Sequence, residues 1–119
     1  MANNFFTDNK DIQFYVNNYI DWRPILDLKE SFYENPNGEA DVPKTFEETI
    51  DIAKTILDYV GKIVADTIFP NSSKIDHDGG VKYDPKTKKV TLPDEITEGI
   101  KQLAEAGIFG VCTPRKYGG

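Results

Sequence analysis

The sequence predicts a mainly α fold of about four helices, with a possible short β-hairpin at residues 81–92. Three observations carry this expectation. Apolar residues recur at helical spacing in four separate stretches. One of these stretches, opening at Thr45, combines a capping signal with two neighbouring apolar stripes. Residues 81–84 and 89–92 flank a turn containing Pro85 and can pair as strands.

The first helix is expected over residues 8–20. Ile12, Tyr15, Val16, Tyr19 and Ile20 form one stripe, and the Asp8 carboxylate is placed to accept the free amides of the first turn. A second helix is expected over 21–33, with stripe Trp22, Ile25, Leu26 and Phe32. Its Pro24 sits early, where the missing N–H does no harm. Neither helix is long enough to be stable alone. Residues 34–43 have loop composition, with two prolines, a glycine and two asparagines. The chain therefore divides into an N-terminal helical extension (1–33), a linker (34–43) and a partial helical domain (44–119).

The long helix opens on a capping box. The Thr45 hydroxyl serves the Glu48 amide while the Glu48 carboxylate reaches back to the Thr45 amide. Phe46, Ile50, Ala53, Leu57, Val60 and Val64 form one stripe, and Ile52, Ile56, Tyr59 and Ile63 lie beside it. Two stripes imply a helix sandwiched between partners. Pro70 is expected to stop it near Phe69, leaving 71–80 as loop. The hairpin, marginal by itself, is expected to lie on the helices. Pro93 with Asp94 and Glu95 opens the last helix, whose stripe is Ile96, Ile100 and Leu103. Gly107 is its left-handed stop, with Ile108 folding back onto Leu103.

Composition narrows the function classes. The 119 residues carry 14 basic and 20 acidic side chains, a net charge of −6. That balance opposes non-specific attraction to nucleic acid or anionic membrane. No apolar run approaches the ~20 residues of a membrane span, and the opening residues lack a secretory pattern. A single cysteine, Cys112, excludes an internal disulfide and fits a reducing, cytoplasmic setting. The acidity is uneven: residues 1–73 hold 6 basic and 13 acidic groups, residues 74–119 hold 8 and 7. Lys82, Lys86, Lys88 and Lys89 cluster about the hairpin turn and read as a solvated tip.

No catalytic constellation is visible. His77 is the only histidine, so neither a histidine metal cluster nor a Ser–His–Asp arrangement can form within one chain. Asp76-His77-Asp78-Gly79 fails the calcium-loop template, with Lys74 at its first position and no closing glutamate, and reads as a solvated turn. Cys112 in Gly-Val-Cys-Thr-Pro reads as a buried structural thiol. Asn71-Ser72-Ser73 matches a glycosylation sequon without a secretory context. Gly79-Gly80 and Gly118-Gly119 stand outside any phosphate-loop frame. Glu47/Glu48 and Asp94/Glu95 are explained by helix starts.

Residues 103–111, Leu-Ala-Glu-Ala-Gly-Ile-Phe-Gly-Val, run into Pro114-Arg115-Lys116-Tyr117-Gly118-Gly119. This stretch resembles the flavin-dependent acyl-CoA dehydrogenase family, in which a helix ending in L-x-x-x-G-(apolar)-x-G leads into P-x-x-Y-G-G within an N-terminal helical domain. The upstream order is similar, and residues 3–14 resemble the extension of a larger subfamily that includes methylthiopropanoyl-CoA dehydrogenases. Arg115-Lys116 departs from the pattern, since many members carry acidic residues there. The resemblance implies a flavoprotein oxidoreductase of fatty acid metabolism in which a carboxylate takes the acyl-CoA α-proton and FAD takes the β-hydride. The base and most of the FAD and CoA contacts would lie beyond Gly119. No residue of this chain therefore receives a catalytic, cofactor-binding or metal-ligating role, and a substrate-binding role is left open. The chain is expected to be structural and inactive by itself. Its partners would be the remaining domains and neighbouring subunits of the parent enzyme. The alternative is a free-standing helical protein-interaction module, with the long helix offering one stripe as a groove.

Overall fold

Asn9, not Asp8, starts the first helix: its side-chain oxygen accepts from the amides of Asp11 and Ile12. The Asp8 carboxylate instead accepts from the amides of Asn3 and Asn4, folding the N-terminal segment into a turn. In the computed structural model, which describes residues 3–35, 38 and 42–117, helix α1 (Lys10–Phe14) continues into a π-helical stretch (Tyr15–Tyr19). Residues 36, 37 and 39–41 of the expected linker, and the closing Gly118-Gly119, lie outside the described residues. Ile20 is extended, and the Trp22 indole N–H donates to the Val16 carbonyl at 2.7 Å, pinning the bend into α2 (Trp22–Lys29). Of the expected stripe of α1 only Val16 is buried, while Ile12, Tyr15 and Tyr19 are exposed.

After α2 the chain does not remain α-helical to Tyr33. Ser31, Phe32 and Tyr33 take left-handed φ values of 50°, 53° and 64°, each costing roughly 1–2 kcal/mol for a residue with a side chain. The turn places the Tyr33 phenol between α2 and the next helix. Removal from water pushes its pKa up, the Thr49 hydroxyl pulls it back, and the Asp27 charge adds to the rise.

Helix α3 (Phe46–Ile63) opens as a modified capping box. Thr45 Oγ1 accepts from the Glu48 amide at 3.2 Å, but the Glu48 carboxylate takes the amide of Lys44 rather than that of Thr45. Pro70 does not end the helix. A π-helical turn (Val64–Ile68) precedes it, and α4 (Phe69–His77) continues the rod to His77. The π turn widens the backbone just where the proline ring would strike the preceding carbonyl, and Pro70 occupies the first turn of α4, where no N–H is needed. The rod stops at Gly79-Gly80. Both glycines are left-handed, and their amides donate to Asp76 and Ile75, the two bonds of a Schellman stop.

Strands β1 (Lys82–Asp84) and β2 (Lys89–Thr91) pair antiparallel with Tyr83 opposite Val90. The Asp84 carboxylate accepts from the amides of Lys86 and Thr87 and from the Thr87 hydroxyl, bonds that hold its pKa down. The expected hairpin is present, but it does not lie on the helices: every residue from Val81 to Leu92 is exposed. Helix α5 (Asp94–Glu105) returns antiparallel to the second half of the rod. Gly99 faces Ile68, Thr67 Oγ1 lies 2.7 Å from Gln102 Oε1, and Lys74 pairs with Glu95. Gly107 is left-handed, as expected, and its amide donates to the Ala104 carbonyl.

The Lys74 bond holds Glu95 below its ordinary carboxylate range and Lys74 above its own. A lowered carboxylate stabilises the fold above its unfolded pKa and loses that contribution as pH falls through the folded value. Wild type and Glu95→Gln are expected to differ in urea-melt stability at about pH 7 and to converge near about pH 3. A gap that widens in acid contradicts the pairing.

The assembly is mainly helical and thin. Its radius of gyration is 18.4 Å and its extents are 56 × 34 × 19 Å, against roughly 13–14 Å expected for a compact domain of this length. Phe6, Val16, Leu26, Ile63 and Ala65 are the buried apolar residues among those described, and none of the five is wholly removed from water. Within the described residues, no helix is long and apolar enough to cross a membrane.

Candidate functional site

The two stripes of α3 meet different fates. Phe46, Ile50, Ala53, Leu57, Val60 and Val64 are half-buried. At one end this side receives α2, where Leu26 and Thr49 are buried and the Arg23 guanidinium stacks 4.3 Å over the Phe46 ring. The second stripe is open. Ile52, Ile56 and Tyr59 keep 47, 40 and 56% of their surface in water, and only Ile63 of that stripe is buried. Beside it, Asp51, Thr55 and Asp58 form an exposed row at i, i+4 and i+7. A row of large apolar residues bordered by polar ones is the surface signature of a contact face.

The N-terminal segment is docked rather than trailing. Asn4 is buried, and its amide group donates to the Asp58 carbonyl at 3.0 Å and the Asp58 carboxylate at 2.8 Å. Its carbonyl oxygen accepts from the Phe6 and Thr7 amides, while the Phe5 amide donates to the Gly61 carbonyl at 3.1 Å. Gly61 permits this approach: a Cβ there would stand 2.3 Å from Asn4 Oδ1 and 2.7 Å from the Phe6 nitrogen. The Phe5 and Phe69 rings, 5.1 Å apart, extend the contact along the rod.

A second long-range contact joins residues 85 apart. Arg115 donates to the Glu30 carboxylate from Nη1 and Nη2, at 2.5 and 3.0 Å, and the Glu30 side chain is wholly removed from water. Together the two contacts tie both ends of the described chain to the helices. Asn4 and Glu30 carry no motif that announces them. Gly61 does carry a signal, because an isolated glycine inside a helical pattern marks a close backbone approach.

The chemistry-bearing residues do not converge. His77 ends α4 in solvent, with Asp76 and Asp78 beside it in sequence, and the described residues contain no His/Cys/Asp/Glu group able to hold a metal ion. Cys112 is exposed, which corrects the expected buried thiol. Phe109 and Val111 beside it are exposed as well, so apolar neighbours in sequence do not become a core in space. Asn71 and Ser72 lie within α4, not in a loop. Ile68, Ser72, Ile75, Asp76, Gly79 and Gly80 line an open groove of about 500 Å³ at the end of the rod. Asp27 Oδ1 and the Tyr33 hydroxyl are buried without a well-formed hydrogen bond, a place suited to a bridging water.

No protein-family model, curated protein or solved structure matches the chain. Its physical reading therefore rests on its own surfaces, foremost the open stripe of α3.

Proposed function

We propose that this chain is the N-terminal helical part of an FAD-dependent acyl-CoA dehydrogenase, supplying structure to an enzyme whose reacting groups lie elsewhere. The observation that carries the reading is the uncovered Ile52–Ile56–Tyr59 stripe on a helix whose other side is already engaged. In such a parent this stripe is covered by further domains or neighbouring subunits, and the segment after Gly107, which resembles the family sequence, leads toward them. The Glu30–Arg115 pair supports the same assignment, because it anchors that segment on α2. It also gives Arg115 a structural role at the position where many family members carry an acidic residue.

In this reading FAD is held by later parts of the parent, and the open groove of this chain does not fit it. The open groove at the end of the rod offers the Asp76 carboxylate and two glycines, with no lysine or arginine among its lining residues to face a pyrophosphate. No reaction step is therefore assigned to any side chain of this chain.

The test compares two proteins: the 119-residue chain, and the same chain carried to the end of its gene's reading frame. The longer protein is expected to purify yellow and to reduce a dye acceptor when given acyl-CoA thioesters. The 119-residue chain is expected to stay colourless with added FAD. A flavin-loaded 119-residue chain overturns the proposal, as does a colourless, inactive longer protein. A frame that closes after Gly119 would turn the open stripe into the groove of a free-standing interaction module.

A further inference from the structure

The hairpin and the open face of α3 complement each other, and within one chain they do not meet. Tyr83 and Val90 are directly opposed across the hairpin and so share one face. Val81 and Leu92, one register step beyond the ladder, continue it. All four are exposed, Tyr83 at 61% and Val90 at 62%. A two-stranded hairpin with a bare apolar face is marginal in water. Lys86 and Lys88 stand in the turn at one end of that face, while Lys82 and Lys89 alternate onto the opposite face with Asp84. The hairpin as a whole carries a surplus of positive charge on a chain of net charge −6.

The α3 face has the opposite pattern. Its apolar row is Ile52, Ile56 and Tyr59, and its neighbouring row carries Asp51 and Asp58. From Ile56 to the end of α4 the rod runs about 31 Å at roughly 1.5 Å per residue. Five residues lie between His77 and Tyr83, at most about 22 Å of extended chain. In this structure the strands pack on each other and on no helix of their own chain.

We infer that the occupant of this α3 face is the hairpin of a second copy, which in the enzyme reading above is the neighbouring subunit. Tyr83 and Val90 of one chain pack on Ile52, Ile56 and Tyr59 of the other, and Lys86 and Lys88 of the turn meet Asp51 and Asp58. Two reciprocal contacts close a twofold dimer without open-ended growth. Hydrodynamic mass reads this contact without flavin or substrate, so its failure and the failure of the enzyme assignment are distinguishable.

The experiment is sedimentation equilibrium of the whole chain over a range of concentrations and salt. A concentration-dependent dimer that weakens as salt rises is expected, because complementary charges are screened. Association driven by apolar contact alone between chains of charge −6 would strengthen instead, and that result overturns the inference. Tyr83→Ser and Ile56→Ser are each expected to raise the dissociation constant at least about tenfold. A dimer that loses affinity with Ile56→Ser but not with Tyr83→Ser also overturns it, since the helix faces would then meet each other. Charge reversal guards against misfolding as the explanation. Lys86→Glu/Lys88→Glu and Asp51→Lys/Thr55→Lys should each impair self-association, and mixing the two variants should restore a heterodimer. Failure of the mixture to associate overturns the pairing. Monomer at every concentration in low salt does so as well.

Discussion

Gly61→Ala is expected to lower the stability of the chain by about 3 kcal/mol. Helix propensity alone points the other way, favouring alanine over glycine by about 1 kcal/mol. Geometry decides the sign. The added methyl would stand 2.3 Å from Asn4 Oδ1 and 2.7 Å from the Phe6 nitrogen, and both are held from behind: Asn4 by Asp58, and the backbone at Phe5 by the Gly61 carbonyl. The segment must lift away, which breaks those hydrogen bonds and exposes Phe6, one of the few buried apolar residues. Chemical denaturation of the single variant, and of the variant in a chain lacking residues 1–9, checks this. In the shortened chain the same substitution should become neutral or stabilising. A full-length variant that melts above wild type would show that the segment does not rest on α3.

Arg115→Met is expected to cost about 3 kcal/mol, at the low end for breaking a buried ion pair. The low end applies because the Arg115 side chain keeps 34% of its surface in water, whereas its partner keeps none. The cost arises chiefly from Glu30, whose carboxylate would remain buried without its guanidinium. Glu30→Leu/Arg115→Met, which removes both charges, should recover most of the loss. Denaturant midpoints of the single and double variants measure this. Equal losses in the two would mean that Arg115 acts through packing and not through the charge of Glu30. A single variant as stable as wild type would remove the pair from the account of how residues 108–117 are held.

Much of the helical layout was legible along the chain because it depends on neighbours three or four residues away. The start of α3 at Thr45, the last helix and its stop at Gly107 all follow from local pattern. Pro70 misleads because its rule concerns an ideal α-helix, and one π turn relaxes that rule. The true stop signal was also present in Gly79-Gly80, where two left-handed residues end the rod. The first cap lies one residue beyond the expected Asp8, since Asp8 and Asn9 are equally good caps and the amides of Asn3 and Asn4 engage the Asp8 carboxylate. Cys112 and the hairpin misled for one shared reason. Apolar character in a sequence states what would gain from burial, not whether anything lies close enough to bury it.

The two stripes of α3 were therefore readable from residue spacing alone, while their separate fates were not. Spacing determines which side chains share a face, because the turn angle of a helix is a local property. Tertiary structure decided that one face meets α2 and the other meets water. It alone brought Asn4 to Gly61 and Arg115 to Glu30. Those pairs depend on how rigid rods pack across tens of residues, and no short-range periodicity encodes that distance.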